Sequence, residues 1–106
     1  QHVATAMIQV SKKFPDIQSA INIRYDPKMI SKAKKQKMTV LSYDRNDEPK
    51  NSKLKENSSI SWGISSCLKS KVPDIIFHKG DVGKEAMIIV FGKDPSEIIK
   101  KIKLIQ

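Results

Sequence analysis

Two arginines stand out in this chain because the other 18 of its 20 basic residues are lysines. A guanidinium group offers a rigid fork of donors that fits phosphate or carboxylate oxygens in pairs, whereas an ammonium group acts as a point charge. Arg24 and Arg45 both lie where a predicted strand ends. One interpretation is a bound phosphate or pyrophosphate at that place. The other is an ion pair with a neighbouring carboxylate such as Asp26 or Asp44, which stabilises little when it is exposed.

The strongest local motif is the segment 80–85, which reads Gly-Asp-Val-Gly-Lys-Glu. Its two glycines allow backbone N–H groups to converge on an anion, and Lys84 adds a positive charge. It is not a Walker A loop, because two residues rather than four separate the glycines and Glu85 takes the place of Ser or Thr. A nucleoside triphosphatase is therefore not favoured. Taken alone, the motif is better explained as a tight connection between two strands.

The histidines and carboxylates limit the possible chemistry further. His2 and His78 are the only histidines, so a zinc site with several histidine ligands is excluded, and no Ser-His-Asp triad can be argued. His78 ends a strand that reads as buried, which favours a hydrogen-bonded structural histidine, and position alone assigns His2 no role. Four carboxylates are suitably placed to hold Mg²⁺ beside a pyrophosphate: Asp44, Glu48, Asp81 and Glu85.

Composition narrows the class of protein. The chain has 106 residues and 20 Lys and Arg against 11 Asp and Glu, so its formal net charge is +9. Aromatic residues make up only 6% and do not interleave with the basic ones, so an anionic small ligand fits better than nucleic acid. The single Cys67 excludes an internal disulfide, and no apolar stretch approaches the roughly 20 residues that span a bilayer. We therefore expect a cytoplasmic protein without a membrane partner.

The elements that must position these residues follow from hydrophobic spacing, and their predicted order is αβαβαββα. The polar stretch 44–58 is predicted to be a loop. Four helices are predicted, each with an apolar face, and the last three also have a capping residue. In chain order the faces are Val3, Ala6, Met7 and Val10; Met29, Ile30 and Ala33; Ile60, Trp62, Ile64, Cys67 and Leu68; and Ile98, Ile99, Ile102 and Ile105. The caps of the second, third and fourth helices are Asp26, Ser58 or Ser59, and Asp94. The four predicted strands are 20–25, 38–43, 73–78 and 85–91.

This alternation predicts one α/β domain over residues 1–106, layered around a mainly parallel or mixed sheet. The last two strands are expected to be antiparallel across their short connection. Ligands of such sheets bind at the carboxyl ends of the strands, where both arginines lie. Because the strands are few and the chain starts at Gln1, we expect a piece of a longer polypeptide that lacks upstream strands.

Seven motifs in order along the chain resemble the archaeal thiamine-phosphate synthases of the ThiN type. They are His2-Val3-Ala4, Asn22-Ile23-Arg24-Tyr25, Tyr43-Asp44-Arg45 with Glu48-Pro49, Ser61-Trp62-Gly63, Val72-Pro73-Asp74-Ile75-Ile76, Gly80-Asp81-Val82-Gly83-Lys84-Glu85 and Phe91-Gly92-Lys93-Asp94-Pro95. The resemblance covers nearly all of this chain but only the C-terminal part of the family's domain. Ala86 departs from the family, which usually has proline there.

The resemblance implies a fold similar to the class II aldolase-like α/β/α sandwich, often following a hydroxymethylpyrimidine (phosphate) kinase domain. It also implies a transferase reaction in which hydroxymethylpyrimidine diphosphate joins hydroxyethylthiazole phosphate, releasing pyrophosphate and giving thiamine phosphate. His2 matches the family's catalytic histidine, whereas the accompanying arginine lies upstream, so this chain alone is expected to be inactive. The residues that match the family's substrate and phosphate site are Arg24, Asp44, Arg45, Asp81, Gly83, Lys84 and Glu85.

Two other functions remain open at this stage. ThiN-like domains also serve as non-catalytic sensors of thiamine phosphate, joined to a helix-turn-helix in transcription regulators. A basic module for nucleic acid is the third hypothesis, and it predicts a steep loss of affinity with salt. An exposed sheet edge also leads us to consider a homodimer.

Overall fold

The computed structural model of the protein describes residues 2–43, 63–80 and 86–106. Three helices and four strands are found there: α1 (His2–Lys13), β1 (Ser19–Arg24), α2 (Pro27–Lys35), β2 (Val40–Ser42), β3 (Ile75–His78), β4 (Met87–Gly92) and α3 (Pro95–Ile105). Residues 63–67, between β2 and β3, are also helical. The predicted order of elements is thus confirmed for the described residues. The predicted loop 44–58 and the start of the predicted third helix, with Ile60 and Trp62, lie outside them.

Local sequence signals explain where the helices start. The Asp26 carboxylate accepts a hydrogen bond of 2.8 Å from the N–H of Lys28, and the Asp94 carboxylate accepts one of 2.9 Å from the N–H of Glu97. In both helices a proline follows the capping aspartate, and its missing N–H costs nothing in the first turn. Both caps are as predicted.

The sheet is mixed, with strand order β1-β4-β3-β2. β2 and β3 are parallel, while β4 is antiparallel to both β3 and β1. The expected antiparallel pairing of the last two strands is confirmed, and the sheet has a single parallel pair because β4 lies between β1 and β3. Since β1, β2 and β3 nevertheless run in the same direction, their carboxyl ends lie at one edge of the sheet. We call this edge the carboxyl edge.

Helices cover both faces of the sheet, which confirms the layered α/β/α arrangement. One buried cluster joins α1 and the helical residues 63–67 to the sheet; it contains Ala6, Val10, Ile17, Ile64, Cys67, Ile76, Ile89 and Phe91. The other cluster joins α2 and α3 to the opposite face; it contains Ile30, Ala33, Ile75, Ile88, Val90, Ile98 and Ile105. None of the described helices is long and apolar enough to cross a membrane.

Two expectations for α3 were wrong. Ile99 was expected on the buried face but is 53% exposed, because Ile98 and Ile105 are the residues that turn towards the sheet. A lysine on a surface helix is ordinarily expected in solvent, yet the side chain of Lys101 is only 14% exposed. Its ammonium group contacts Asp74 at 2.8 Å and Glu97 at 3.2 Å and donates to the carbonyl of Phe91.

Candidate functional site

Four residues form a row across the carboxyl edge, and we call them the terminal row: Arg24, Met87, His78 and Tyr43. Arg24 pairs with Met87, and Met87 pairs with His78. Tyr43 follows the last residue of β2, and its N–H donates to the carbonyl of Phe77. Directly opposite residues point to the same face of a sheet. Because Met87 and Tyr43 pack against the cluster that includes α1, the whole row faces the α1 side of the sheet.

The inner end of the row is a closely packed aromatic pair. The rings of Tyr43 and His78 lie 5.3 Å apart between centroids, at an interplanar angle of 40°. Gly63 is buried against the same tyrosine, and a Cβ at that position would lie only 2.6 Å from the Tyr43 Cζ. Only glycine therefore fits there without moving the ring. Tyr43 and Gly63 are the described residues that flank the segment 44–62 on either side.

His78 is nearly inaccessible, with 1% of its surface exposed. Its Nδ1 accepts a hydrogen bond of 3.1 Å from the N–H of Gly80. The imidazole therefore acts as a hydrogen-bond acceptor at Nδ1. The prediction of a hydrogen-bonded histidine at a strand end is confirmed. Gly80 has a φ of 89°, a conformation that favours glycine.

The outer end of the row opens into a cavity of about 440 Å³, within the usual range for small-molecule sites. It is lined by Asn22, Ile23, Arg24, Tyr25, Ala86 and Met87. Tyr25 is held in place by the ring of Phe77, 5.8 Å away between centroids. The guanidinium of the exposed Arg24 and the amide of Asn22 thus meet apolar surface in one concave place. Such a combination suits a ligand with an anionic group and a flat ring.

Arg24 is the predicted site residue whose side chain the structure describes. In the part of the chain described, the Asp26 carboxylate caps α2 instead of pairing with Arg24. Arg24 lines the cavity, as the interpretation of a bound phosphate requires.

His2 is the first residue of α1, and its side chain lies outside the described part. A helix of twelve residues is about 18 Å long and a strand of six residues about 20 Å. Since a connection of only five residues, 14–18, returns the chain from α1 to β1, the helix starts near the carboxyl edge. The backbone of His2 is thus brought to the end of the sheet that carries the terminal row.

The remaining predicted site residues lie outside the described residues: Asp44, Arg45, Asp81, Gly83, Lys84 and Glu85. Their sequence neighbours are nevertheless placed. Asp44 and Arg45 follow Tyr43 directly, and the segment 81–85 connects Gly80 to Ala86 at the same edge. Both segments therefore leave from, and return to, the immediate surroundings of the terminal row.

Sequence reasoning missed Asn22, Tyr25 and Met87 as cavity residues and Tyr43 as the packing partner of His78. The available signal was position, because each of them lies within two residues of a strand end at the carboxyl edge. What sequence could not supply was the strand order that brings β4 between β1 and β3.

The described residues contain no candidate metal site. Across residues 2–43, 63–80 and 86–106, no group of three or more His, Cys, Asp or Glu side chains is arranged to hold a metal ion. The carboxylates predicted to accompany Mg²⁺ lie outside those ranges.

A second cavity, of about 480 Å³, lies at the opposite edge of the sheet. Three of its charged side chains, those of Asp74, Glu97 and Lys101, are engaged with one another. Arg24, the predicted site residue whose side chain is described, does not line it. We therefore assign the candidate site to the carboxyl edge.

Comparison with known proteins gives consistent matches. Residues 1–104 match the family described as Thiamine-phosphate synthase ThiN. The chain is 42% identical over its whole length to the Bifunctional thiamine biosynthesis protein ThiDN of Methanocaldococcus jannaschii, of which it covers 24%. It is 37% identical to the Thiamine-phosphate synthase ThiN of Methanothermobacter thermautotrophicus, covering 92% of this chain and 52% of that protein.

A solved structure agrees with the sequence matches. The crystal structure of the C-terminal domain of a phosphomethylpyrimidine kinase superposes with a TM-score of 0.91 at 42% identity, covering 100% of this chain and 61% of that chain. The chain thus spans about a quarter and about half of the lengths of the two curated relatives. These matches confirm the resemblance indicated by the seven motifs. The chain belongs to the ThiN family of thiamine-phosphate synthases.

Proposed function

We propose that this chain forms part of a thiamine-phosphate synthase site and acts in thiamine biosynthesis. The reaction joins hydroxymethylpyrimidine diphosphate to hydroxyethylthiazole phosphate and releases pyrophosphate. The observation that carries the proposal is the placement of Arg24 in the wall of the cavity at the carboxyl edge. Family membership supports the choice of ligand.

The chemistry needs positive charge at one place and exclusion of water at another. As the bond to the methylene carbon breaks, negative charge builds up on the leaving pyrophosphate. A preorganised donor that meets this charge lowers the barrier more than it strengthens substrate binding. The thiazole nitrogen then attacks the electron-poor carbon, and an apolar wall limits competition from water.

The described residues can supply both features. Arg24 offers a bidentate fork to phosphate oxygens, while Tyr25 and Met87 add apolar surface to the lining of the cavity. We assign phosphate binding also to Arg45 and Lys84, with Asp44, Asp81, Gly83 and Glu85 as further contacts to the substrates. We assign a catalytic role to His2, because it matches the family's histidine and its backbone lies near the carboxyl edge.

We propose that Mg²⁺ accompanies the diphosphate. The supporting argument is the chemistry of the donor set, since the carboxylates of Asp44, Glu48, Asp81 and Glu85 all lie within five residues of the terminal row in sequence. A bound Mg²⁺ would neutralise part of the charge on the diphosphate. The residues described above bind and orient the substrates whether or not the metal is present.

Calorimetric titration tests the ligand site. We expect thiamine phosphate to bind the 106-residue chain in a saturable manner at near-physiological salt and unphosphorylated thiamine to bind clearly more weakly. The difference arises because only the phosphate ester can engage the guanidinium fork. Binding of both ligands with equal affinity contradicts the proposed phosphate site. If the chain binds neither ligand, the same titration of the full-length polypeptide decides, and no preference for thiamine phosphate there contradicts the site.

Turnover tests the reaction separately. The full-length polypeptide that carries this chain should convert the two precursors to thiamine phosphate and pyrophosphate in the presence of Mg²⁺, and chelation should reduce the rate. The variant His2→Ala should lose turnover while it still binds thiamine phosphate. Binding without any turnover in the unaltered protein would favour the sensor hypothesis instead.

A further inference from the structure

We infer that Asn22 is a specificity-determining residue of the site: its side-chain amide recognises the aminopyrimidine ring of the substrate and of the product. The inference rests on the proposed function, because that function supplies the ligand. Asn22 and Arg24 both belong to the described part of the chain, and both line the cavity at the carboxyl edge. The inference follows from the place of Asn22 in the sheet and from the chemistry of the ligand.

Asn22 lies beside Arg24 on one face of the edge strand β1. Alternate residues of a strand point to the same face, and their Cα atoms are about 7 Å apart. Asn22 is paired with Ile89, which belongs to the buried cluster beneath α1, so its side chain points to the α1 side of the sheet. The amide and the guanidinium are therefore neighbours on one side of the strand that lines the cavity.

The cover over this face of the sheet ends between β4 and β1 at the level of Asn22. Ile89 on β4 is 1% exposed, whereas its partner Asn22 on β1 is exposed. Ala20, two residues earlier in β1, still packs against the buried cluster. Asn22 is thus the first residue of β1 on this face that a ligand can reach, and Arg24 is the next.

The amide of Asn22 is available for contacts to a ligand. Within the described residues, no hydrogen bond or ion pair joins the side chain of Asn22 or of Arg24 to another residue. Asparagine is disfavoured inside strands, and an edge strand is usually protected by charged side chains, lysine above all. The sheet itself thus gives no reason for an asparagine here, whereas a ligand that pairs with an amide does.

The chemistry of thiamine phosphate determines which part of the ligand can use this amide. Its phosphate suits Arg24, and its quaternary thiazolium ring has neither an N–H donor nor a free nitrogen lone pair. The aminopyrimidine ring has both, an exocyclic amino group beside a ring nitrogen. An asparagine amide pairs with such an edge through two hydrogen bonds, as it does with adenine. Of the two rings, the aminopyrimidine is therefore the partner of Asn22.

The test compares three variants with three ligands. Asn22→Val removes the amide and keeps a good strand former, Arg24→Lys removes the guanidinium fork, and the control Gln18→Val removes an exposed amide just before β1, outside the cavity. The ligands are thiamine phosphate, thiamine and hydroxyethylthiazole phosphate, which has a phosphate but no pyrimidine. Calorimetry on the full-length polypeptide that carries this chain gives the affinities, and circular dichroism checks that each variant is folded.

We expect Asn22→Val to weaken the binding of thiamine phosphate and of thiamine by about tenfold each, because two hydrogen bonds are lost. Its affinity for hydroxyethylthiazole phosphate should not change. Arg24→Lys should show the crossed pattern, weakening the two phosphorylated ligands and leaving thiamine nearly unaffected. Gln18→Val should leave all three affinities unchanged. A merely structural effect of Asn22→Val would instead weaken the three ligands alike.

Steady-state kinetics of the same full-length protein gives a second readout. Asn22→Val should raise the KM for hydroxymethylpyrimidine diphosphate by about tenfold, for the same two hydrogen bonds. The KM for hydroxyethylthiazole phosphate should stay as in the unaltered protein, because that substrate has no aminopyrimidine. An equal rise of both KM values would contradict a role of Asn22 in recognising one ring.

The outcomes separate the inference from the proposed function. If the unaltered protein does not prefer thiamine phosphate to thiamine, the proposed function fails and the inference falls with it. If it has that preference and Asn22→Val binds thiamine as tightly as the unaltered protein, or loses affinity for all three ligands alike, the inference alone is overturned. Should Asn22→Val fail to fold, Asn22→Thr, which keeps a polar surface without the amide, decides in the same way.

Discussion

Arg24 shows how the place of a residue in the sheet brings its side chain to a cavity. It ends an edge strand, pairs with Met87 and remains exposed in the wall of the cavity. In a chain with 18 lysines, another ammonium group at this place would have been the ordinary choice. The fork geometry of arginine, rather than its charge, therefore distinguishes the position.

The variant Arg24→Lys tests that distinction. We expect its affinity for thiamine phosphate to fall by roughly tenfold although the charge is unchanged, because one bidentate contact becomes a single one. Calorimetry with thiamine as the second ligand measures the effect, and thiamine affinity should change little. Equal affinities of the variant and the unaltered chain for thiamine phosphate would place Arg24 outside the phosphate site.

Cys67 is a residue whose environment determines its chemistry. It is buried in the cluster beneath α1, where its thiol donates to the carbonyl of Ile64 at 3.4 Å. Burial disfavours the thiolate and raises the pKa of Cys67 from its ordinary value of 9.0 to about 11, although a hydrogen bond with the backbone of Cys67 itself lowers it in part. At neutral pH this cysteine is a packing residue.

The raised pKa of Cys67 predicts a pH dependence of stability. Between pH 9.0 and about 11 the unfolded chain has released a proton that the folded chain still holds, so the free energy of unfolding falls as the pH rises. Below pH 9.0 this contribution is fully present. Urea unfolding of the unaltered chain and Cys67→Ala at several pH values should show their stability difference shrinking above pH 9.0. A difference that stays constant would contradict the burial of the thiol.

At the scale of elements, a network around Lys101 ties the strands and α3 together at the amino edge of the sheet. Lys101 contacts Asp74 and Glu97 and donates to the carbonyl of Phe91. The second oxygen of Asp74 accepts a 2.8 Å hydrogen bond from the N–H of Thr39, which precedes β2. The start of β2, the start of β3, the end of β4 and α3 are therefore joined through two side chains.

Removing the ammonium group should weaken this network. We expect Lys101→Met to lower the free energy of unfolding by about 2 kcal/mol, because a charged hydrogen-bonded group is lost and Asp74 is left with less compensation. The neighbouring Lys100 is exposed, so Lys100→Met is a matched control that should have an effect near zero. Urea unfolding measures both, and equal midpoints for the two variants would remove Lys101 from the account of stability.

At the scale of the whole molecule, the two edges of the sheet differ in what they hold. At the amino edge the Lys101 network lies beside the second cavity, and Gly92 there pairs with Ser19 at the start of β1. The carboxyl edge presents the terminal row and the points where the segments 44–62 and 81–85 leave the described structure. Ligand sites of α/β proteins lie at the carboxyl ends of the strands, so the carboxyl edge is the candidate site and the amino edge contributes to stability. A homodimer through the exposed β1 edge stays a prediction.

Much of this fold could be predicted from the sequence because its signals are local. Asp26-Pro27 and Asp94-Pro95 indicate where helices start, and apolar spacing indicates which face of each helix is buried. The prediction that this spacing gave for Ile99 was wrong, because Ile99 is exposed although the neighbouring Ile98 is buried. Apolar spacing also could not indicate that the side chain of Lys101 is largely buried, because its ion-pair partner Asp74 is distant in sequence.

For the candidate site, the sequence by itself determined the kinds of residue available: two arginines, a glycine-containing loop and motifs that resemble one family. Only the tertiary structure decided which of them meet. Insertion of β4 between β1 and β3 sets Arg24, Met87 and His78 side by side, and Tyr43 completes the row. The physical reason is that pairing between strands distant in sequence depends on burying both faces of the whole sheet at once, which no local segment specifies.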